Sequence, residues 1–325
     1  MKTYHKNGIV SNIDYVLTNE DSFVVQCDTV EQHNILYYTR DNLVRELDSE
    51  LIALYDTFRN QYFSNTDTYY KNLDIIPMGL YIGGQSSEIA ISKEQFLQLK
   101  NTVSPYLKDI AKHIYVSDCQ YLVSTVQNLI QAIEFCFVQY YIQISKIELP
   151  TELPTNDNSF LLTSEESMQL MFFVETFFTK MYSILDIMVK IVYELENPRV
   201  NFPSITKLTS SEKLWGDKKH IKMNRLPNSI FEDCESIRKI EALRNEAVHN
   251  GTWEFRPRVF LQVDNKTIIE RYTLAPDFEN GRLSAVKNRR HFFSTGTKIN
   301  DMLVSIHNEF YERLIVTLKY INTHF

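Results

Sequence analysis

One short stretch of the sequence combines the residue types needed for acid–base chemistry on a phosphate. Asn245 directly follows Arg244, and His249 lies five positions beyond that arginine, just before Asn250-Gly251. Imidazole titrates near neutral pH and can transfer a proton, and guanidinium offers a planar fork of donors to a charged phosphorane. RNA carries its own nucleophile, the 2′-hydroxyl group. This pair of side chains therefore suits metal-independent cleavage of RNA.

A helix must position both side chains. We predict it over 229–248, opened by the capping box Ser229-x-x-Glu232 and stopped by Asn250-Gly251. On a straight helix His249 points about 140° away from Arg244, and we predict that the break after it turns the ring back. Arg244 falls in the middle of an apolar face, where a guanidinium needs an anionic partner. That face comprises Ile230, Ile237, Ile240, Ala247 and Val248.

Two ordinary explanations of the same residues stay open. An arginine on an apolar face can make a buried ion pair, and His249 can cap the C-terminus of its helix. Other motifs do not compete with this stretch. Gly79-x-x-x-Gly83-Gly84 lacks the Lys-Ser/Thr of a phosphate-binding loop, and no histidine or cysteine spacing matches a metal site. We therefore predict neither a metal nor a cofactor.

Two clusters of basic residues flank the motif helix in the sequence. Cations near aromatic rings can bind a phosphate backbone and stack bases. Ordinary solvated loops are the alternative explanation. Because the clusters lie on both sides of the motif, we predict RNA contacts by Lys218, Lys219, Lys222, Arg225, Arg289 and Arg290.

The elements around the motif are predicted to be mostly helical. The segment 147–160, with two prolines, divides the chain into an N-terminal domain, 1–150, and a second domain, 151–325. The first is mixed, mostly helical with a small β element, and its role is unknown. The second is a mainly α, antiparallel helical bundle with a small β-hairpin insertion. Helices are predicted over 41–63, 92–114, 117–145, 163–196 and 300–323, strands over 9–17, 22–30 and 34–39, and the hairpin over 253–276.

Composition excludes several classes of protein. With 44% hydrophobic and 23% charged residues, the chain is globular rather than disordered. Its net charge of −7 arises in residues 1–150 and argues against coating nucleic acid with the whole surface. The four cysteines form no CxxC pair, which favours reduced thiols in a cytoplasmic protein. Polar residues interrupt the apolar stretches 121–145 and 168–193, so we predict buried bundle helices and no membrane span.

The motif stretch resembles the signature of the HEPN superfamily (higher eukaryotes and prokaryotes nucleotide-binding), Arg-x(4–6)-His with Asn, Asp or His commonly after the arginine. Arg244, Asn245 and His249 match those positions. Upstream, Ser183-x-x-Asp186 is similar to a Ser-x-x-Asp stretch on an earlier helix of several HEPN groups. The resemblance covers roughly residues 160–325. The hairpin insertion departs from it, and residues 1–150 resemble no family that we can name.

The resemblance implies a metal-independent endoribonuclease fold whose homodimer joins two Arg-x4-His motifs in one cleft. Arg244 would then stabilise the pentavalent phosphate and His249 would act as general acid and base, with Asn245 and Asp186 holding them in place. The products would carry a 2′,3′-cyclic phosphate. The family also implies, as partners, an antitoxin or another protein of a bacterial defence system.

On the sequence alone, Asp186 could instead occupy a solvated position opposite the apolar face of its helix.

The nuclease is the first candidate function for the chain, and two others stay open. Since some family members are inactive, a catalytically silent module that binds RNA, nucleotide or protein is the second candidate for the chain. A helical interaction protein in which the motif is accidental is the third.

Overall fold

The structure is a computed structural model that describes residues 2–12, 25–30, 33–38, 41–64, 66–149 and 159–325. Within these ranges the chain is mainly helical, with small antiparallel sheets. The helices are α1 (Asp41–Tyr62), α2 (Thr66–Leu73), α3 (Met78–Tyr81), α4 (Lys93–Val103), α5 (Leu107–Ser145), α6 (Glu165–Glu196), α7 (Glu235–Asn245) and α8 (Ile299–His324). The strands are β1 (Lys2–Tyr4), β2 (Val10–Asn12), β3 (Val25–Val30), β4 (His33–Tyr38), β5 (Ser159–Leu162), β6 (Val259–Asp264), β7 (Thr267–Tyr272), β8 (Phe278–Glu279) and β9 (Arg282–Leu283).

The described chain forms two compact units, each made of three sequence segments. Unit 1 contains 1–46, 129–183 and 232–314, and unit 2 contains 47–128, 184–231 and 315–325. The predicted domain boundary, 147–160, contains residues 150–158, which lie outside the described residues. The division of the chain at residue 150 stays a prediction.

α5 is the central apolar helix. By length and composition its segment Ile110–Ser145 could cross a membrane. Here, however, α5 packs inside the protein, because Val123, Val126, Ile133 and Phe137 are all completely buried. This packing is the one predicted from its interrupting polar residues.

α6 and α8 both run antiparallel to α5. Near the C-terminal end of α5, the Phe137 ring lies 6.0 Å from that of Phe177 on α6. Near the N-terminal end of α5, Tyr115 donates to Glu194 of α6 at 2.7 Å. α8 is antiparallel too, because Phe137 stacks on His307 at 4.6 Å while Tyr141, later in α5, donates to Asn300, earlier in α8. α5 is therefore the helix against which both others pack. The predicted antiparallel helical bundle is confirmed.

One buried asparagine joins the start of α8 to its neighbours. The side-chain nitrogen Nδ2 of Asn300 donates to the backbone carbonyl oxygens of Lys6 and Arg271, at 2.8 and 3.0 Å. Its side-chain oxygen accepts from the hydroxyl of Tyr140 at 2.8 Å, and its carbonyl oxygen accepts from that of Tyr141. These bonds satisfy polar groups that burial would otherwise leave unpaired.

Two predicted helix boundaries inside 92–145 are wrong. α4 begins with the capping box formed by Ser92 and Gln95 but ends at Val103. The 3₁₀ turn Ser104–Tyr106 follows, in which Pro105 has no N–H group to continue the α-helix. α5 then starts at Leu107 and runs without the interruption expected near residue 115. α2 was not predicted, since its sequence is polar and short.

The sequence also predicts a capping box, Thr163-x-x-Glu166, at the start of the helix over 163–196, and both this box and that of Ser229 are wrong. α6 begins at Glu165, so Ser164 rather than Thr163 takes the N-cap position. The backbone amide of Ser164 donates to the hydroxyl oxygen of Ser167. α7 begins at Glu235 with Cys234 at its N-cap. Ser229 instead lies in a buried turn, where it donates to the carbonyl of Leu226.

The predicted hairpin over 253–276 is confirmed as β6 and β7. The turn, predicted at Asp264-Asn265, lies one residue later at Asn265-Lys266. Both of these residues have positive φ (46° and 65°), as in a type I′ turn. β5 pairs with β6, so the hairpin belongs to a three-stranded sheet of order β5-β6-β7. The sequence predicts a loop over 277–297, but a second short hairpin, β8–β9, lies there.

The N-terminal β element is a four-stranded antiparallel sheet of order β2-β1-β3-β4. The predicted strands over 9–17, 22–30 and 34–39 overlap β2, β3 and β4. Their remaining parts, 13–17, 22–24 and 39, lie outside the described residues. β1 was not predicted, since three residues give too short a pattern.

Gly281 fixes the β8–β9 hairpin against the start of α7. Its φ is +81°, and a Cβ there would lie 2.6 Å from the carbonyl oxygen of Glu235. We expect Gly281→Ala to lower the free energy of unfolding by roughly 3 kcal/mol, the strain of left-handed backbone plus the steric overlap. Gly296→Ala is the matched control, because Gly296 has φ +67° with open space around it.

Urea denaturation measures both variants. Gly296→Ala should lose only the backbone contribution, roughly 1–2 kcal/mol. Equal losses in the two variants would show that contact between the hairpin and α7 does not stabilise the chain.

Candidate active site

The end of α7 winds more widely than an α-helix. After Asn245 the chain makes one π-helical turn, Glu246–Asn250, and Gly251 ends it at φ +86°. In a π turn the hydrogen bonds join residues five apart, so residues five apart lie near each other. Nη1 of Arg244 consequently lies 3.3 Å from Nε2 of His249. The expected approach of the two side chains is present, and it arises from the π turn rather than from the break after His249.

The expected apolar face around Arg244 is wrong in part. The residues of α7 that are buried are Ser236, Ile237, Ile240 and Leu243. Ile230 lies before α7, and Val248 is 49% exposed, since the π turn changes the direction of its side chain. Arg244 therefore lies half-buried at the edge of the apolar face, where a ligand can reach it.

Two neighbours besides His249 hold the guanidinium of Arg244. Nη1 donates to Oδ1 of Asn245 at 2.9 Å. The guanidinium carbon lies 4.5 Å from the centre of the Tyr182 ring of α6, a cation–π contact. No described residue hydrogen-bonds to Nη2 or Nε, and neither atom is buried. These two donors are thus left to meet an anion.

The contact with Arg244 also defines the state of the imidazole. Arginine has only donors, so a hydrogen bond from Nη1 requires the lone pair of Nε2 on His249. The neutral ring then carries its proton on Nδ1. Because His249 is exposed, a substrate can reach the ring, and Nε2 becomes able to accept a substrate proton when its hydrogen bond with Arg244 is released.

Glu246 is a buried carboxylate inside the motif. One oxygen accepts from Nη1 of Arg290 at 3.0 Å, and the other accepts from Asn250 at 2.9 Å and contacts Nε2 of His291 at 3.1 Å. The bond with Asn250 links the first and last residues of the π turn. The other two join the turn to the segment that carries Arg290 and His291. They also satisfy a charge that burial would otherwise make costly.

An open groove of about 490 Å³ runs beside the π turn. The side chain of Arg290 is 56% exposed, so it presents a second cation to this groove. Asn245, predicted as a site residue, also lines it. The groove residues are Ala242, Asn245, Glu246, His249, Asn250, Leu283 and Arg290.

Asp277 organises the loop that follows Arg290. Its carboxylate accepts four hydrogen bonds, from the amides and hydroxyls of Ser294 and Thr295, at 2.6–3.0 Å. Burial by itself raises the pKa of Asp277, but these bonds outweigh it and hold the pKa well below its usual range. The backbone amide of Asp277 also donates to the carbonyl oxygen of Phe292 at 2.6 Å, which holds the loop next to the residues just before β8.

Asp186 has a structural contact in unit 2. Its Oδ1 accepts from the backbone amide of Trp215 at 2.5 Å, at the start of the 3₁₀ helix Trp215–His220. A role for Asp186 in orienting Arg244 or His249 stays a prediction.

The residues predicted to bind RNA divide between the two units. Arg289 and Arg290 lie in unit 1, and Arg289 donates to the carbonyl of Asn288 in a tight turn. The others lie in unit 2, where Lys218 packs over the Trp215 ring at 4.3 Å. The remaining three, Lys219, Lys222 and Arg225, are exposed.

Sequence reasoning assigned no role to Glu246 or His291. Glu246 stands inside the motif, and a carboxylate next to a buried helix face signals a nearby cation. Its cationic partner Arg290 and its partner His291 are 44 and 45 residues away, so no local pattern identified them. Among the described residues no cluster of three or more His, Cys, Asp and Glu side chains could hold a metal ion.

The fold and this site together define the class of the protein: a helical bundle that presents an arginine and a histidine at the open end of one helix. A family model described as HEPN_Cthe2314-like HEPN matches residues 119–284, just over half of the chain. The chain therefore belongs to the HEPN superfamily. No curated protein and no solved structure matches it. The match contains the motif and both hairpins, so the predicted departure at the β insertion lies inside the family region.

We expect Glu246→Ala to destabilise the chain by about 2–3 kcal/mol, because it leaves His291 and Asn250 without their charged hydrogen-bond partner. Urea denaturation followed by circular dichroism measures the change. Glu312→Ala, which removes an exposed carboxylate of the same unit, should stay within about 0.5 kcal/mol of the parent. A similar small loss for Glu246→Ala would show that the buried carboxylate does not hold the turn.

The low pKa of Asp277 predicts a pH dependence of stability. An unfolded aspartate has a pKa of about 3.9, so the stabilisation is fully present above that value and is lost as the pH falls toward the lower pKa of the folded chain. We expect the free energy of unfolding to fall less steeply between about pH 5 and pH 3 in Asp277→Asn than in the parent.

The exposed Asp264→Asn variant is the control and should keep the parental slope. Parallel curves for the parent and Asp277→Asn would contradict the proposed cause.

Proposed function

We propose that this protein is a metal-independent endoribonuclease of the HEPN type. The observation that carries the proposal is the 3.3 Å approach of Arg244 and His249 at an exposed π turn, beside an open groove that also receives Arg290. Membership of the HEPN superfamily supports it. An accidental motif could have both side chains buried in the core, but neither Arg244 nor His249 is buried there.

The chemistry follows from the groups present. The 2′-hydroxyl oxygen of RNA attacks the adjacent phosphorus while His249 takes its proton. Nη2 and Nε of Arg244 stabilise the charge that accumulates on the phosphorane oxygens. The bond between phosphorus and the 5′-oxygen breaks, and that oxygen leaves with a proton as a hydroxyl group. The products are a 2′,3′-cyclic phosphate and a 5′-hydroxyl end.

We further propose that two copies of the chain join their motifs in one cleft. A second copy brings a second His249, so that one imidazole can accept the proton of the nucleophile while the other protonates the leaving group. A cytoplasmic role in bacterial defence or in a toxin–antitoxin pair, with an antitoxin as partner, accords with the family. The free thiols of Cys119, Cys136 and Cys234 accord with a reducing compartment.

The test is cleavage of end-labelled RNA in excess EDTA. We expect His249→Ala to lower kcat by about 10²–10⁴-fold and Arg244→Ala by about 10²–10³-fold. Arg244→Lys should rescue little, because lysine keeps the charge but loses the planar fork. Matched controls are His220→Ala and Arg256→Ala, whose side chains are exposed and lie outside the groove.

The product ends complete the test. Phosphatase treatment should leave the 3′ ends blocked until acid opens the cyclic phosphate. RNA that is bound but never cut would favour the catalytically silent binding module. Cleavage that persists in both Arg244→Ala and His249→Ala would overturn the assignment.

A further inference from the structure

Unit 2 contains a second cleft with the composition of a nucleotide-binding site. Its volume is about 510 Å³, within the range of sites that bind small ligands, about 300–1,000 Å³. Residues of the 3₁₀ helix Lys222–Arg225 form one wall, and the last turn of α8 forms the other. The lining residues are Glu196, Lys222, Met223, Arg225, Leu226, Pro227, Tyr320, His324 and Phe325.

The cationic side chains of this cleft are available to a ligand. Lys222 and Arg225 are both exposed, and neither side chain makes a hydrogen bond or ion pair with any described residue. The acidic residue of the cleft, Glu196, is already engaged, because its two oxygens accept the backbone amides of Lys222 and Met223 at 2.6 and 3.0 Å. Glu196 therefore fixes the 3₁₀ helix and leaves both cations to an external anion.

The opposite wall offers an aromatic surface. The rings of Tyr320 and His324 are stacked, with centroids 3.8 Å apart and planes 12° from parallel. Nδ1 of His324 contacts the carbonyl oxygen of Tyr320 at 2.8 Å. Since a carbonyl oxygen only accepts, Nδ1 carries the proton and the contact fixes the orientation of the ring. The exposed His324 ring can then stack on a base.

We propose that this cleft binds one nucleotide of an RNA strand, with Lys222 and Arg225 on its phosphate and the Tyr320–His324 stack on its base. Cations beside a stacking ring bind single-stranded nucleic acid in this way. A free mononucleotide has the same phosphate and base, so the test includes it as a separate arm. RNA as the ligand rests on the proposed nuclease function, but the cleft is defined by its own residues.

The experiment measures binding in a chain that carries His249→Ala, so that cleavage does not enter. The probe is a fluorescent single-stranded 12-nucleotide RNA, and anisotropy gives its affinity at several salt concentrations. Each phosphate contact contributes about 0.7 to the slope of log K against log salt for a single strand. Because both cations bind one phosphate, Lys222→Ala/Arg225→Ala should lower the slope by about 0.7 and the affinity by roughly 5-fold at 0.1 M salt.

The matched control is Lys71→Ala/Lys93→Ala, which removes two exposed lysines of the same unit. It should change the slope by much less. Equal losses in the two double variants would overturn the site, because binding would then depend only on net charge. Circular dichroism checks that both variants remain folded.

Two further arms identify the ligand. His324→Ala should weaken binding of the RNA but not of an abasic strand of the same length, and equal weakening of both would overturn the stacking contact. If AMP, but not inorganic phosphate, displaces the RNA only where Lys222 and Arg225 are present, the ligand is a free nucleotide. If unlabelled RNA alone displaces it, the ligand is a strand. If the parent chain, with His249 in place, binds RNA through this cleft but does not cleave it, this site stands and only the nuclease is rejected.

Discussion

The buried carboxylate of Glu246 is the interaction on which the candidate site depends. It lies inside the π turn, and its hydrogen bonds to Asn250, His291 and Arg290 reach both the end of that turn and a segment more than forty residues away. A buried charge in this position requires its partners. The same bonds that satisfy Glu246 therefore fix the winding that brings His249 to Arg244.

Further contacts position the other groups of the candidate site. Hydrophobic residues of α7 hold the helix against the protein, while Asn245 and the Tyr182 ring orient the Arg244 guanidinium. Asp277 accepts four hydrogen bonds from the next loop. The groups that would meet a phosphate are thus held in position before a ligand arrives.

The sequence predicted the long helices well, because an apolar period of 3.6 continues over many turns in α1, α6 and α8. It also predicted the encounter of Arg244 with His249. It did not predict the π turn, since nothing in the residues 246–250 distinguishes that winding from an α-helix. Capping signals misplaced the start of α7, because Ser229 uses its hydroxyl in a turn before the helix. Partners of Glu246 depend on tertiary structure, which no local pattern encodes.

The π turn also bears on how the spacing of such a motif can vary. In an α-helix, residues three or four apart share a face, whereas one wider turn transfers that relation to residues five apart. For the two side chains to meet, the local winding of the backbone must therefore match the number of residues between arginine and histidine. A descendant chain that gained or lost a residue here could preserve the encounter by rewinding a single turn, without any rearrangement of the bundle.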